Sequence, residues 1–321
     1  MRPTGKLHLG HLVGALHNWV ALQEKYDCFY FVADWHALTS EYADTAGITA
    51  SALDNVADWL AAGVDAERST IFIQSLVPEH AELFLLLSMV VPIPWLERVP
   101  TYKEQREQLA EKDLSTLGFL GYPLLQTADV IIYDGKFVPV GEDQVAHLEL
   151  SREVVRRFHQ FYGEIFIEPQ PLLTPTPRLP GLDNRKMSKS YGNTIDLTDD
   201  AQAVTKKVRQ MYTDPKRIRA DIPGTVEGNP VFMYHDAFNS NTAEVEDLKT
   251  RYRAGKVGDV EVKTKLANAM NAMLEPMRER RRDVMSKPDR IREIAVEGSR
   301  RARAIAQQTM ERVRDAVKLR Y

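Results

Sequence analysis

The run CFYFVA at residues 28–33 and the run STIFIQ at residues 69–74 decide the fold class of this 321-residue chain. Each is short and rich in apolar, β-branched and aromatic residues, which is typical of a buried strand in a parallel sheet. Helix-period apolar patterns at residues 12–25 and 52–62 precede and separate the two runs. Strands that alternate with helices predict an α/β fold, with a parallel sheet covered on both faces.

The rest of the chain extends this pattern and then leaves it. Residues 129–133 and 137–140 are further strand candidates around an Asp134-Gly135 turn. Proline-rich sequence fills residues 169–181, and helical periodicity dominates from about Thr198 onward. We therefore expect an α/β domain followed by an all-helical domain.

The start of the chain is unusual for a nucleotide-binding α/β domain. Such a domain opens with a strand that leads into its phosphate-binding turn. Here the turn-like sequence RPTG already occupies residues 2–5. We expect the sheet to lack its first strand.

Composition excludes several classes of protein. Hydrophobic residues make up 44% and charged residues 27%, which is enough apolar material for a globular core. No apolar run approaches the roughly 18 residues that a membrane span needs. Cys28 is the one cysteine, which excludes a disulfide framework or a cysteine-cluster metal site within one chain. These features predict a cytoplasmic protein with no membrane partner.

Basic charge is concentrated late in the chain. The formal net charge is −3, but residues 275–320 hold 14 basic and 8 acidic side chains and so carry +6. A second basic cluster consists of Lys206, Lys207, Arg209, Lys216, Arg217 and Arg219. Both features suit an RNA-binding surface, and both are equally compatible with ordinary solvated helices.

Two motifs carry candidate chemistry. His8-Leu9-Gly10-His11 stands between a Pro/Gly turn and a predicted helix N-terminus, where N–H groups and imidazoles can face a phosphate. The pentapeptide KMSKS at residues 186–190 follows 178 positions later in a glycine-bounded loop. Its ammonium and hydroxyl groups suit the binding of a triphosphate whose charge redistributes during reaction.

The two motifs resemble the HIGH and KMSKS signatures of class I aminoacyl-tRNA synthetases. The resemblance covers essentially the whole chain and is closest to the tryptophanyl branch of the tryptophanyl/tyrosyl subfamily. It includes the turn at 2–5, the segment ADWHA at 33–37 and the block PVGEDQ at 139–144, which His147 follows.

The resemblance implies a domain organisation and a reaction. A Rossmann-like catalytic domain would span residues 1–197, with an insertion around 80–125 that forms the interface of a homodimer. The helical domain, residues 198–321, would bind the tRNA anticodon. The implied reaction is activation of L-tryptophan by ATP, followed by transfer of the tryptophanyl group to tRNA(Trp).

The resemblance also implies roles for individual residues. His8 and His11 would stabilise the transition-state phosphate, and Lys186 and Lys189 the departing pyrophosphate. The implied ATP-binding positions are Arg2, Pro3, Thr4, Gly10, His11, Gly141, Glu142, Asp143, Leu179, Lys186, Met187, Ser188, Lys189 and Ser190. The implied amino-acid contacts are His36, Tyr122, Gln126, Asp129 and Gln144. Mg²⁺ is expected with the ATP, held mainly by phosphates and water.

The amino-acid substrate is the least constrained part of this prediction. Asp129 would accept the indole N–H, which is the polar group of a tryptophan side chain. The spaced set Tyr122, Gln126 and Asp129 also occurs in tyrosyl enzymes, and an aspartate accepts a phenol O–H equally well. Tyrosine therefore stays open, as do a small-molecule nucleotidyltransferase and a catalytically silent RNA-binding paralogue.

Overall fold

The computed structural model describes residues 1–100, 102, 114–173 and 179–321. Its strands are β1 (Cys28–Val32), β2 (Ser69–Ile73), β3 (Phe137–Val140) and β4 (Gln170–Leu173). Its α-helices are α1 (Leu9–His11), α2 (His17–Leu22), α3 (Asp34–Glu41), α4 (Ile48–Ala62), α5 (Glu79–Ser88), α6 (Ile93–Glu97), α7 (Leu117–Ile131), α8 (Val145–Tyr162), α9 (Ala201–Arg209), α10 (Pro230–Phe238), α11 (Thr242–Arg253), α12 (Asp259–Met285) and α13 (Pro288–Ala316). A π-helical segment (Leu12–Leu16) joins α1 to α2, and short 3₁₀ segments are Gln74–Leu76, Glu142–Gln144 and Lys189–Tyr191.

The strands form two parallel pairs. β1 pairs with β2 in the register Cys28↔Ser69, and β3 pairs with β4 in the register Phe137↔Gln170. The strands predicted at residues 28–33, 69–74 and 137–140 are confirmed, and helices connect and cover them. This is the predicted α/β, Rossmann-like class with parallel strands.

A cavity of about 580 Å³ lies between the two pairs, lined by β1 on one side and β3 on the other. Met1 reaches its edge, because its amino group donates to the Phe31 carbonyl at 2.6 Å. The Ala33 N–H donates back to the Met1 carbonyl at 2.8 Å, which is the hydrogen-bond pattern of a parallel pairing with β1. In the described part of the chain, no named strand occupies the space between β1 and β3.

The prediction that residues 129–133 form a strand is wrong. Asp129 lies in the last turn of α7, whose buried positions include Leu124, Ala128 and Ile131 at helical spacing. Pro123 lies inside this helix. The short β-branched run is therefore the end of a 15-residue buried helix rather than a separate strand.

The helical region is packed directly onto the α/β region. One hydrophobic core contains Leu16 and Trp59 together with Leu266 and Met270, so it crosses the predicted boundary near residue 197. α13 lies against β2 so closely that a Cβ added to Gly298 would meet the Ile71 carbonyl oxygen at 1.8 Å. None of the helices in the described residues is long and apolar enough to cross a membrane.

Arginines of α12 and α13 reinforce this packing. Arg281 donates to the Asp58 carboxylate at 2.6 Å, and Arg280 donates to the Ala61 carbonyl at 2.7 Å. Further arginines that donate to side chains of the α/β region are Arg303, Arg312 and Arg314. Part of the basic excess at residues 275–320 thus holds the helices in place, a structural role that the charge pattern alone did not reveal.

Candidate active site

Backbone pairing explains how two motifs 178 positions apart in sequence come together. The Leu9 N–H donates to the Ile195 carbonyl at 3.0 Å, and the Leu197 N–H donates to the Leu7 carbonyl at 2.8 Å. His8 is bridged to Asp196 between these two bonds. These backbone hydrogen bonds hold the segment that follows KMSKS beside the start of α1.

The two histidines of the first motif cap their own helix. His8 is the N-cap of α1, and its Nδ1 accepts the Gly10 N–H at 3.1 Å. His11 Nδ1 accepts the His8 N–H, also at 3.1 Å. Because each Nδ1 is an acceptor, the ring proton of each imidazole is on Nε2. Both side chains thus keep one N–H donor for another partner.

Both imidazoles are neutral near pH 7. Burial and the neighbouring Lys189 lower the pKa of His8 to about 4. Burial, together with His8 and Lys189, lowers the pKa of His11 to about 3. Neutral N–H donors beside a lysine suit an oxyanion that gains negative charge during reaction.

The KMSKS loop closes over this histidine pair. Lys189 Nζ donates to the Thr4 carbonyl at 3.0 Å, which joins the loop to the turn at residues 2–5. A Cβ on Gly10 would lie 3.0 Å from Met187 Sδ, so the loop depends on a glycine at this position. Burial lowers the pKa of Lys189.

A buried asparagine holds the loop backbone. Asn193 Oδ1 accepts the Ser188 N–H at 2.9 Å, and its Nδ2 donates to the Lys186 carbonyl at 3.1 Å. The same amide donates to Asp183 at 2.8 Å. Gly181 leaves room for it, since a Cβ there would meet Asn193 Nδ2 at 2.1 Å. The Lys186 side chain itself is exposed.

The five residues predicted to contact the amino acid line one cavity of about 370 Å³. Its lining consists of Met1, Arg2, Phe31, Ala33, His36, Thr39, Tyr122, Gln126, Asp129, Gln144 and His147. His36 follows β1 and Gln144 follows β3, so the cavity lies at the carboxyl ends of parallel strands. This is where α/β folds commonly bind ligands.

Asp129 lies in a buried network at this cavity. Its Oδ2 accepts from His36 Nε2 at 2.7 Å, and its Oδ1 accepts from Gln74 Nε2 at 2.7 Å and from His80 Nδ1 at 2.6 Å. Burial alone would raise the pKa of this carboxyl, but His36 and His80 outweigh it and hold the pKa below its usual value. The side chain is therefore an ionised acceptor, buried and held by three donors.

The remaining predicted ATP positions are spread over three segments. Gly141 and Glu142 follow β3 and adjoin Gln144 of the cavity, Pro3 is buried in the opening turn, and Leu179 packs against the core. The side chains of Asp143 and Ser190 lie outside the described part of the structure. The predicted insertion spans residues 80–125, and the structure describes all of it except residues 101 and 103–113.

Three polar residues of the site, Gln74, His80 and Asn193, were not predicted as site residues. Gln74 directly follows β2, and a polar residue at the carboxyl end of a parallel strand is a signal that sequence reasoning can use. His80 and Asn193 carry no comparable signal, because His80 contacts Asp129 across 49 positions and Asn193 acts inside a loop whose conformation has no sequence pattern of its own.

Comparison with known proteins places this geometry in a family. The family model described as tRNA synthetases class I (W and Y) matches residues 1–275. Tryptophan–tRNA ligase of Thermotoga maritima is 50% identical over 322 residues, covering 100% of this chain and 98% of that protein. The Aquifex aeolicus enzyme of the same name is 44% identical over 388 residues, covering 99% and 98%.

Solved structures agree. Campylobacter jejuni tryptophanyl-tRNA synthetase, complexed with ADP and tryptophan, is 32% identical with a TM-score of 0.88, covering 99% of this chain and 98% of that one. A tyrosyl-tRNA synthetase from Archaeoglobus fulgidus, complexed with L-tyrosine, shares the fold at 23% identity and a TM-score of 0.67, covering 88% of each chain. The chain therefore belongs to the class I aminoacyl-tRNA synthetase family that comprises the tryptophanyl and tyrosyl enzymes.

Proposed function

We propose that this chain is a tryptophan–tRNA ligase, which activates L-tryptophan with ATP and transfers the tryptophanyl group to tRNA(Trp). The observation that carries the proposal is Asp129, an ionised and buried acceptor in the lining of a cavity to which Arg2 of the opening turn also contributes. An indole N–H is the one polar group of the tryptophan side chain, and such an acceptor satisfies it. The relatives named as tryptophan–tRNA ligases support the same substrate.

In the proposed first step the substrate carboxylate attacks the α-phosphorus of ATP and pyrophosphate leaves. No protein nucleophile is needed, so the task of the protein is positioning and charge stabilisation. His8 and His11 donate through Nε2–H to the phosphate oxygens as charge builds on them. Lys186 and Lys189 neutralise the departing pyrophosphate, and loop closure keeps both lysines in reach. In the second step a hydroxyl of the terminal ribose of tRNA attacks the carbonyl carbon of the adenylate, which forms the ester bond and releases AMP.

Mg²⁺ belongs to this proposal as a companion of the ATP. Among the described residues, no group of three or more His, Cys, Asp or Glu side chains is placed to hold a metal ion. The ion would then be held through phosphate oxygens and water, and it would neutralise phosphate charge when bound.

Tyrosine is the second candidate substrate. Tyr122, Gln126 and Asp129 all line the cavity, and this set suits a phenol O–H as well as an indole N–H. ATP–pyrophosphate exchange, with each of the twenty amino acids supplied separately, distinguishes the two. Exchange with tryptophan alone supports the proposal. Exchange with tyrosine, or with no amino acid, contradicts it.

We further propose that the helical region binds tRNA through its exposed basic side chains. Lys206, Arg209 and Lys216 are exposed, whereas Arg217 is buried and donates to the Val257 carbonyl at 2.7 Å. Lys207 donates to Asp199 at 2.6 Å. Fewer side chains of the second basic cluster are therefore available to bind tRNA than the sequence suggests. Binding through phosphates predicts an affinity that falls steeply with salt, and a flat salt dependence would contradict it.

A homodimer is proposed on the basis of an apolar surface. Leu85, Met89, Ile93 and Leu117 are 53%, 70%, 59% and 79% exposed, which is unusual for several apolar side chains of this size. A groove on the same region is lined by Trp35, Leu38, Tyr42, Phe84 and Leu125, among others. Light scattering coupled to size-exclusion chromatography should give twice the chain mass, and the mass of one chain would contradict the proposal. A cytoplasmic location, where tRNA and ATP are available, completes this assignment.

A further inference from the structure

The Asp129 carboxylate has a nearly complete set of hydrogen-bond partners before any substrate binds. A carboxylate offers about four lone-pair sites. Two on Oδ1 are taken by Gln74 and His80, and one on Oδ2 is taken by His36. Among the residues that the structure describes, no hydrogen bond is assigned to the remaining acceptor site, which belongs to Oδ2. The rotation of the carboxylate therefore decides whether this remaining site is aligned with a donor in the cavity.

His80 controls that rotation from the side away from the cavity. It is fully buried and is not among the residues that line the cavity, so we assign it no direct contact with a bound amino acid. Its Nδ1 lies 2.6 Å from Asp129 Oδ1, and its Nε2 lies 2.7 Å from the Tyr133 hydroxyl. An ionised carboxylate only accepts, so Nδ1 carries a proton and donates to Asp129, and in the neutral imidazole Nε2 then accepts from the Tyr133 hydroxyl.

Tyr133 is held in turn by aromatic packing. Its ring stacks on Phe29 with the ring centroids 4.9 Å apart and meets Phe72 edge-on at 5.5 Å. Burial, with smaller contributions from Asp129 and Glu79, raises the pKa of this phenol, so it stays a donor. Tyr133 thus donates a hydrogen bond to His80, and His80 donates one to Asp129.

We propose that His80 is a positioning residue for amino-acid recognition, which fixes the Asp129 carboxylate so that the open site on Oδ2 accepts the ring N–H of the substrate. The proposal rests on the proposed tryptophan substrate. Removal of the His80 donor leaves Oδ1 held by Gln74 alone, which loosens the rotation of the carboxylate and weakens the interaction with the N–H specifically. The rest of the indole binds by shape and apolar contact, which does not depend on this rotation.

Two conservative variants separate this role from simple packing. In His80→Asn the amide nitrogen takes the place of Nδ1 and still reaches Asp129. In His80→Gln the amide takes the place of Nε2 and reaches Tyr133 instead. Both side chains are polar and smaller than or similar to histidine, so they form a matched pair. Circular dichroism and thermal unfolding establish which variants are folded.

The measurement is ATP–pyrophosphate exchange with tryptophan and with β-(3-benzothienyl)alanine, in which sulfur replaces the indole N–H. The quantity compared is the ratio of the two kcat/KM values. A hydrogen bond to a charged group is worth roughly a tenfold to hundredfold preference. We expect His80→Asn to keep the ratio of the parent protein within about threefold and His80→Gln to lower it about tenfold or more, mainly through the KM for tryptophan.

Several outcomes would overturn the proposal. An unchanged ratio in His80→Gln, with both substrates weakened equally, would make His80 a packing residue only. A ratio that falls equally in the two variants would show that the position of the donor does not matter. If His80→Gln does not fold, Gln74→Leu removes the other Oδ1 donor, and an unchanged ratio there would count equally against carboxylate positioning. Failure of the proposed function would look different, because the parent protein itself would then show no exchange with tryptophan.

Discussion

Addition of one methyl group at Gly10 tests whether the orientation of the histidine pair matters for activation. The Cβ of Gly10→Ala would lie 2.9 Å from His8 Cε1 and 3.0 Å from His8 Nδ1, and 3.0 Å from Met187 Sδ. Carbon contacts are comfortable at about 3.5–4.0 Å. The imidazole must therefore retreat by roughly 0.5–1 Å, and Met187 must move with the loop that contains it.

The displacement predicts a specific kinetic effect. Misplacement of a catalytic group by about 1 Å can lower a rate on the order of a hundredfold. We expect Gly10→Ala to lower kcat for ATP–pyrophosphate exchange by about 10- to 100-fold. The KM for tryptophan should change by less than about twofold, because the cavity at Asp129 is untouched.

The free energy of unfolding of Gly10→Ala should rise slightly or stay unchanged. Alanine is favoured over glycine in a helix by up to about 1 kcal/mol, which offsets the local crowding. The matched control is Gly118→Ala, since Gly118 is also the second residue of its helix and a Cβ there has no neighbour within 4 Å. Full kcat in Gly10→Ala, or an equal loss in the control, would refute the reasoning.

Four further predictions concern the loop, the histidines and the docking of α13. Lys189→Ala should lower the activation rate by about 10²–10³-fold with a much smaller change in the KM for tryptophan, as seen for lost transition-state donors; equal losses in both would contradict this. Because the pKa values of His8 and His11 are about 4 and about 3, kcat/KM for ATP should show no ionisation of His8 or His11 between pH 5.5 and 8. Depressed pKa values also mean that the unfolded state binds more protons, so the stability contributed by these histidines is present above pH 6.5 and lost as the pH falls towards 4. Gly298→Ala should cost about 3 kcal/mol or more, because its Cβ would meet the Ile71 carbonyl at 1.8 Å.

Each of these has a direct check. Exchange kinetics over the pH range, compared with His11→Asn, would reveal a histidine titration near 6.5 if our assignment of neutral rings is wrong. Urea unfolding of Gly298→Ala is compared with Gly47→Ala, because a Cβ at Gly47 has no neighbour within 4 Å. Equal stability of these two variants would mean that α13 does not pack against β2 as the structure has it.

Sequence alone identified the strands whose apolar runs are isolated. β1, β2 and β3 are each flanked by turn residues, so their short length was decisive. The run at residues 129–133 was misassigned because it has the same composition, although it belongs to the end of a continuous helix. β4 escaped notice because Pro171 lies within it. Proline is tolerated in a strand where its missing N–H is not needed for pairing.

For the candidate site, the sequence identified most of the functional residues but not the hydrogen bonds that join them. The five residues expected at the amino acid do line one cavity. That assignment came from family resemblance, because no spacing rule joins His36 to Asp129 across 93 positions. Gln74 and His80 were missed for the same reason. Their importance lies in hydrogen bonds to Asp129, and such contacts follow from the packing of α5 and α7 rather than from local pattern.

The basic charge of the C-terminal region illustrates a different limit. Net charge cannot distinguish an arginine that faces solvent from one that anchors a helix. Arg281 and Arg303 pair with Asp58 and Glu79 of the α/β region. Only a structure separates such anchoring arginines from exposed side chains such as Lys206, which stay available for a phosphate partner.

Transfer of tryptophan to tRNA tests the central claim most directly. The protein is incubated with ATP, Mg²⁺, labelled tryptophan and total bacterial tRNA, and acid-precipitable label is measured over time. The account predicts label on the tRNA that depends on ATP, reaches the level of the tryptophan acceptor and is slowed in Lys189→Ala. No label with tryptophan, or label with tyrosine in its place, would contradict the account.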